Sequence, residues 1–493
     1  MRHWQTTSRN PAIMVRSDRR PDAAADEARH AVAGINRLKS KHAASADILT
    51  HQGPILPPSR RGTPASLWRQ LRALVSGSHV AALIDQAVVS GTSFLASIMI
   101  ARFCGASQLG LYAIAMSIVV TLMAIQESLI MLPYTIQKHR PIGTAAEYAG
   151  ASLAFSGMFS ATSVVVVMVA AFALYLSGAA PDSIMLLPAL AALVPVALAR
   201  EFARQFGFAH LKVWQVLAID AVVAAVQLAV LGWLGLNGYL SGLAACMALF
   251  SAYALAAIGW LILSRREFAW RMSGWWTTAR RSWSLGRWLL AGQATVQLQS
   301  YIIYWILIIF SGASMTGVYA ACMSIIAFAN PIVYGLGNIL TPKSVLAWKN
   351  GGGAGLLEQA VRDLILLGAL MAVFSVTVIV AGGALMHFLY RGSDFQGYSH
   401  LLVVLALGSS IMAIGMPASN GLVAMERARA VVTAQAAGAA ATVVLVSTLM
   451  FEWGLFGAAF GVLGGSLVSS AGRWIAFLAL VPRRSASGRI HAL

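Results

Sequence analysis

Carboxylates are scarce in this chain. Its 493 residues hold 17 Asp and Glu against 35 Lys and Arg, and charged side chains of both signs make up only 11% of it. With 58% hydrophobic residues and a mean hydropathy of +0.73, the sequence has too little polar surface to clothe a water-soluble globule. Cysteine is almost missing too. Cys104, Cys246 and Cys322 are odd in number, lie in or beside apolar stretches and lack ligand spacing. That excludes a disulfide scaffold and a metal site, and leaves them as packing residues. Catalytic motifs are absent: there is no phosphate-binding loop ending in Lys-Ser/Thr, no HExxH and no GxSxG. The glycine run 351–355 lacks the lysine that would follow in such a loop. No enzyme, no ATP-driven pump and no cofactor are expected.

What is present is a series of long apolar runs. About twelve have the roughly 20 residues that a helix needs to cross a bilayer. They lie near 80–101, 109–133, 150–176, 183–199, 213–234, 240–263, 287–310, 317–341, 364–390, 400–424, 431–450 and 455–481. The fourth is short and broken by Pro188 and Pro195, which leaves twelve or fourteen as the count. The class is an all-α, polytopic membrane protein. Its formal net charge of +18 invites a nucleic-acid reading, but no binding module for DNA or RNA is visible. The cations concentrate instead in the tail and on one side of the spans: Lys138 and Arg140, Arg200, Arg204 and Lys212, Arg265 to Arg281, Lys343 and Lys349, Arg427 and Arg429. The opposite side holds only Arg102 and Arg391. Such asymmetry predicts both termini in the cytoplasm.

The first hairpin returns later in the chain without a gap. Gln86, Gly105-Ala106-Ser107, Gly110, Tyr112, Met116 and Ser117 match Gln293, Gly312-Ala313-Ser314, Gly317, Tyr319, Met323 and Ser324 at a constant offset of 207. This predicts two six-helix lobes related as parallel repeats about an axis along the membrane normal. The expected organisation is a disordered tail 1–65, an interfacial amphipathic helix 66–78, an N-lobe 79–263, a basic linker 264–286, a C-lobe 287–481 and a short tail 482–493.

Polar residues inside the spans are costly in lipid and therefore mark function. Asp85, Glu127, Asp220 and Arg473 come out at a similar depth near the cytoplasmic surface. They are expected to form a charged vestibule that takes an ion, a proton or a headgroup. In the competing reading, Asp85 or Asp220 pairs with a basic residue and holds helices together. Gln293 and Gln297 share a face of span 7, while Asn330-Pro331 and Met416-Pro417 with Asn420 interrupt spans 8 and 10. Those four polar side chains are candidates for a lumen, because interrupted backbone at membrane depth is tolerated where it lines a cavity.

The segments Ser90-Gly-Thr-Ser-Phe94, Ile100-Ala-Arg102-Phe-Cys-Gly105 and Gly110-Leu-Tyr112-Ala resemble the opening hairpin of the bacterial polysaccharide transporter family. These are the Wzx-type O-antigen and exopolysaccharide flippases of the multidrug/oligosaccharidyl-lipid/polysaccharide exporter superfamily. The resemblance extends over about residues 80–481, and only the long polar N-terminus departs from it. It implies transfer of an undecaprenyl-pyrophosphate-linked oligosaccharide between leaflets by alternating access, beside polysaccharide polymerase or export machinery. Arg102, Arg287 and Arg473 would be the cations for the pyrophosphate. Asp85, Glu127 and Asp220 would bind a coupling proton or sodium. Two alternatives stand beside it: a multidrug or toxic-cation antiporter of the same superfamily, and a non-transporting scaffold for polysaccharide synthesis.

Overall fold

Gly105 and Gly312 turn the chain at the same place in each half. Their φ angles are 81° and 80°, in the left-handed region that a side chain disfavours, so each lets one helix end and the next begin without a loop. A computed structural model describes residues 77–139, 143–178, 181–269, 275–390, 393–395 and 397–481. The expected tails 1–65 and 482–493, nearly all of the interfacial helix 66–78 and the linker segment 270–274 lie outside the described residues.

The described chain is helical almost throughout. Ten helical runs are long and apolar enough to cross a membrane. Breaks at Gly105, Gly352 and Gly454 divide three of them, and 312–329 continues into 335–351, so twelve helices result. The first half contains α1 (77–104), α2 (106–137), α3 (Ala145–Leu176), α4 (Pro181–Ala209), α5 (Val213–Leu236) and α6 (Gly242–Ser264). The second contains α7 (Trp275–Phe310), α8 (312–351), α9 (353–389), α10 (399–424), α11 (428–453) and α12 (455–480). This is the all-α polytopic membrane architecture expected from composition.

The duplication is visible in the backbone itself. Each half has five breaks, and among the described residues each break holds one residue with positive φ. Gly105, Gly143, Gly178, Leu211 and Gly238 in the first half answer in order to Gly312, Gly352, Gly397, Glu426 and Gly454 in the second. Six helices per half make α7 enter in the same sense as α1, as a parallel repeat requires.

Local chemistry explains the ends and bends. Thr144 opens α3 with a capping box: its hydroxyl accepts from the Glu147 N–H, and the Glu147 carboxylate accepts from the Thr144 N–H. Pro133 lacks an N–H, and the turn before it widens into a π-helix at Glu127–Met131. Asn330-Pro331 follows a tightened turn at Ala327–Ala329, and Pro417 follows a bend at Gly415. Both interruptions fall where the sequence places them.

One helix departs from expectation. Pro188 and Pro195 do not shorten α4, which continues unbroken to Ala209. Arg200 and Arg204 are therefore helical residues facing the interior, not loop cations. Outward, the bundle presents Leu, Val, Ile and Phe to lipid, while small residues bring helices together inside, as at Gly438 against Ser469 and Gly461 against Val446.

Candidate functional site

The polar interior is divided between the two halves. In the first half, α4 carries Arg200, Glu201 and Arg204 on successive turns facing Asp85 of α1 and Asp220 of α5. Arg204 donates from Nη2 to Asp85 Oδ2 at 3.0 Å and from Nε to Asp220 Oδ2 at 2.7 Å. Arg200 donates to Asp220 Oδ1 and, at 3.1 Å, to Glu201 Oε2. The Arg200 guanidinium also covers the Tyr253 ring at 5.3 Å. Asp85 is 1% exposed and Asp220 is 2% exposed, so the pairs are well shielded from water. Glu127, half-buried in the π-turn of α2, lies within electrostatic range of Glu201 and Arg204.

The network binds three helices through charge. In an apolar medium such pairs give little net stability, but removing one partner strands the other and costs about 3–5 kcal/mol. The charge does not balance. Asp85, Glu201 and Asp220 face two guanidiniums, and Asp85 Oδ1 is buried with no hydrogen-bond partner among the described residues. One surplus negative charge is left at this cluster.

The second half holds a cavity of ≈ 680 Å³, with α1 and α2 closing one side. Its wall has no carboxylate among the described residues and a single charged side chain, Arg473 of α12. Arg473 is 6% exposed. Its guanidinium donates to the Ser469 carbonyl at 3.2 Å, the Ser470 hydroxyl at 3.1 Å and the Ser419 hydroxyl at 3.3 Å, and reaches Met412 Sδ at 3.1 Å. Every one of these partners is neutral. The rest of the wall mixes aliphatic and methionine side chains with uncharged polar and aromatic ones, Tyr112, Gln299, Tyr301, Tyr304, Tyr319 and Asn330 among them.

The bend in α10 makes room for that cation. At Gly415 an added Cβ would press on the guanidinium and on Ser470 Oγ, so only glycine leaves space there. The same bend tips carbonyls out of α10, and α12 satisfies them: Ser470 Oγ donates to Ile411 at 2.6 Å and Trp474 Nε1 to Ile414 at 3.0 Å. The bend at Gly415, next to Met416-Pro417, leaves the space that the Arg473 guanidinium fills.

The remaining candidates are dispersed. Arg102 lies at the turn between α1 and α2, where Nε donates to the Leu389 carbonyl at 2.6 Å and Nη2 to that of Phe388. There it closes the end of α9 and takes no part in lining the cavity. Arg287 is exposed on α7 and is not a lining residue either. Gln297 donates to the Val120 carbonyl at 3.2 Å and joins α7 to α2, while Gln293 stands half-buried on the same helix. Asn330 lines the cavity. Asn420 is buried behind it, its carbonyl oxygen accepting from Thr341 at 3.1 Å.

The single vestibule expected from depth is therefore two sites. Asp85 and Asp220 meet through Arg204 with Glu127 nearby, whereas Arg473 belongs to the cavity of the second half. From sequence, Arg200 and Arg204 count as loop cations because Pro188 and Pro195 interrupt the span before them. Glu201, Gln299 and the tyrosines of α7 read as ordinary polar and aromatic filling. The i, i+4 spacing of Arg200 and Arg204 was the available signal.

No family model matches the sequence, and no curated relative matches it. Solved structures do match in fold. An inward-facing multidrug resistance MATE family transporter of the MOP superfamily aligns with a TM-score of 0.59 at 13% identity, over 82% of this chain and 94% of that one. The lipid II flippase MurJ, in an inward closed conformation, aligns with a TM-score of 0.61 at 13% identity, over 80% and 86%. A MOP superfamily transporter from Pyrococcus furiosus, described by the reversed polarity of its binding pocket, gives 0.59 at 12% identity, over 82% and 94%. The chain has the fold that these MOP superfamily transporters share.

Proposed function

We propose that this protein is a flippase of the Wzx type, carrying an undecaprenyl-pyrophosphate-linked oligosaccharide across a bacterial inner membrane. The observation that carries the reading is Arg473: a buried cation with only neutral partners, on the wall of a cavity that has no carboxylate among the described residues. An isolated charge at that depth is costly unless a counter-ion arrives. A pyrophosphate is such a counter-ion, and a guanidinium fork suits it. An organic cation would be repelled, which disfavours the multidrug antiporter.

In this reading residues 79–263 and 287–481 act as two lobes that rock about the cavity, with both termini cytoplasmic. The fold shared with a lipid II flippase supports a lipid-linked cargo. The surplus carboxylate at Asp85, Glu201 and Asp220 would take the coupling proton or cation, with Glu127 beside it. Polysaccharide polymerase or export machinery would receive the product.

The test is reconstitution. Purified protein in liposomes should move a fluorescently labelled undecaprenyl-pyrophosphate oligosaccharide to the opposite leaflet, and Arg473→Gln should slow it at least tenfold. Movement of organic cation dyes with no movement of the lipid would reverse the assignment.

A further inference from the structure

The tyrosines of the cavity take no part in holding Arg473. Tyr301 and Tyr304 come from α7 and Tyr319 from α8. The first two rings lie 6.0 Å apart, and Tyr304 meets Tyr319 edge to face at 5.0 Å. Together they form one continuous aromatic stretch of the cavity wall. Five positions before Tyr304 on the same helix, Gln299 also lines the cavity. It is 9% exposed, and neither of its amide atoms has a partner among the described residues.

Unpaired polar groups are expensive inside a protein. A buried amide without a hydrogen bond has given up its water for nothing in return. Packing alone would put Leu or Phe at these places. One such amide on a wall that also presents the rings and hydroxyls of Tyr304 and Tyr319, none of them charged, describes a particular ligand chemistry. A sugar ring offers a face of C–H bonds to an aromatic ring and an edge of hydroxyls to amides and phenols. An alkyl chain could use the rings but would leave the amide and hydroxyls unpaired. A second phosphate would need cations that this wall does not have.

We infer that Gln299, Tyr304 and Tyr319 form a saccharide subsite, which takes uncharged sugar rings of the cargo while Arg473 holds its anion. This rests on the proposed function and adds to it where the sugar is read. Tyr304 supplies the stacking face and a hydroxyl; Gln299 turns its amide to the ring hydroxyls on binding. The subsite discriminates, because a wall built to bond hydroxyls loses much more with a ligand that lacks them than an apolar wall would.

The experiment uses full-length protein in lipid nanodiscs and two probes, bare undecaprenyl pyrophosphate and the same lipid carrying an N-acetylhexosamine disaccharide. The wild type should bind the glycosylated probe about tenfold more tightly, the worth of one or two hydrogen bonds. Gln299→Leu and the mild Tyr304→Phe should each remove threefold or more of that preference with bare-lipid affinity unchanged. Arg473→Gln should weaken both probes alike. Equal binding of the two probes by the wild type overturns the subsite, and so does an intact preference in both variants. Failure of both probes to bind overturns the flippase reading itself, and the subsite with it.

Discussion

Gly110 and Gly317, equivalent by the internal repeat, each pack against the other's half. A Cβ on Gly110 would overlap the Ala313 carbonyl oxygen, and one on Gly317 would overlap that of Ala106, which is itself the repeat equivalent of Ala313. Residue i meets j′ and j meets i′, the reciprocity of an interface built about a two-fold axis. The axis of the duplication therefore passes between α2 and α8, at the end of the bundle that bears the Gly105 and Gly312 turns. Small residues let these backbones touch, as in close helix pairs within lipid.

That reciprocity yields the first prediction. Gly110→Leu and Gly317→Leu should separate α2 from α8 to a similar extent, each costing about 1–3 kcal/mol as an overpacked contact. The closed form of this end should lose population in both. Spin labels placed at the outer ends of α2 and α8 should report longer distances, nearly equal in the two variants. Strong opening by one variant and none by the other would contradict a symmetric contact.

Arg102 supplies a second contact at this end. It donates to the Phe388 and Leu389 carbonyls at the close of α9, and Asp394 Oδ2 accepts from the Ala106 N–H at 3.4 Å. Arg102→Ala should release the α9 end and shift the lobes toward opening there by roughly tenfold, at about 1.5 kcal/mol for hydrogen bonds from a charged group. Affinity for the lipid headgroup should be unchanged. A headgroup defect in Arg102→Ala with no change in label distances would return Arg102 to the headgroup-binding role proposed for it from sequence resemblance.

The first-half network predicts unequal effects of its members. Arg204→Ala leaves Asp85 and Asp220 without their shared cation and should cost about 3–5 kcal/mol, seen as a lower melting temperature and poor recovery from detergent. Asp85→Asn should be mild, because the cluster already has one carboxylate in excess and one Asp85 oxygen is unpaired. Loss of transport in Asp85→Asn, with melting temperature retained, would assign the surplus charge to coupling. Equal destabilisation by both substitutions would assign it to structure alone.

The halves were legible in the sequence because a helix hairpin repeated without gaps leaves its glycines and polar residues in register. Twelve spans followed from hydropathy, and the bends from Pro331 and Pro417. What could not be read was which polar residues meet. From sequence, Asp85, Asp220 and Arg473 are expected at similar depths, but depth is one coordinate, and rotation about each helix decides the partner. α4 misled because a proline inside a transmembrane helix can be absorbed by its neighbours, so Arg200 and Arg204 were counted as loop cations. Tyr304 and Gln299 gave no signal, since an aromatic and an amide within an apolar run also suit a helix contact or a headgroup boundary.

Arg473 allows the final prediction, because its charge and its placement can be changed separately. Arg473→Gln removes the cation and should weaken binding of undecaprenyl pyrophosphate by about 10- to 100-fold, the range for a hydrogen bond to a charged group. Arg473→Lys keeps the charge but loses the planar fork, and should recover only part of the affinity. Gly415→Ala keeps the arginine but places a methyl against its guanidinium. If the cation acts by its position, Gly415→Ala should lower affinity nearly as far as Arg473→Gln, with the fold intact by melting temperature. Charge reversal by Arg473→Glu should abolish binding of the pyrophosphate and admit organic cations to the cavity. Normal pyrophosphate affinity in Arg473→Gln would remove this residue from the site and, with it, the main support for an anionic cargo.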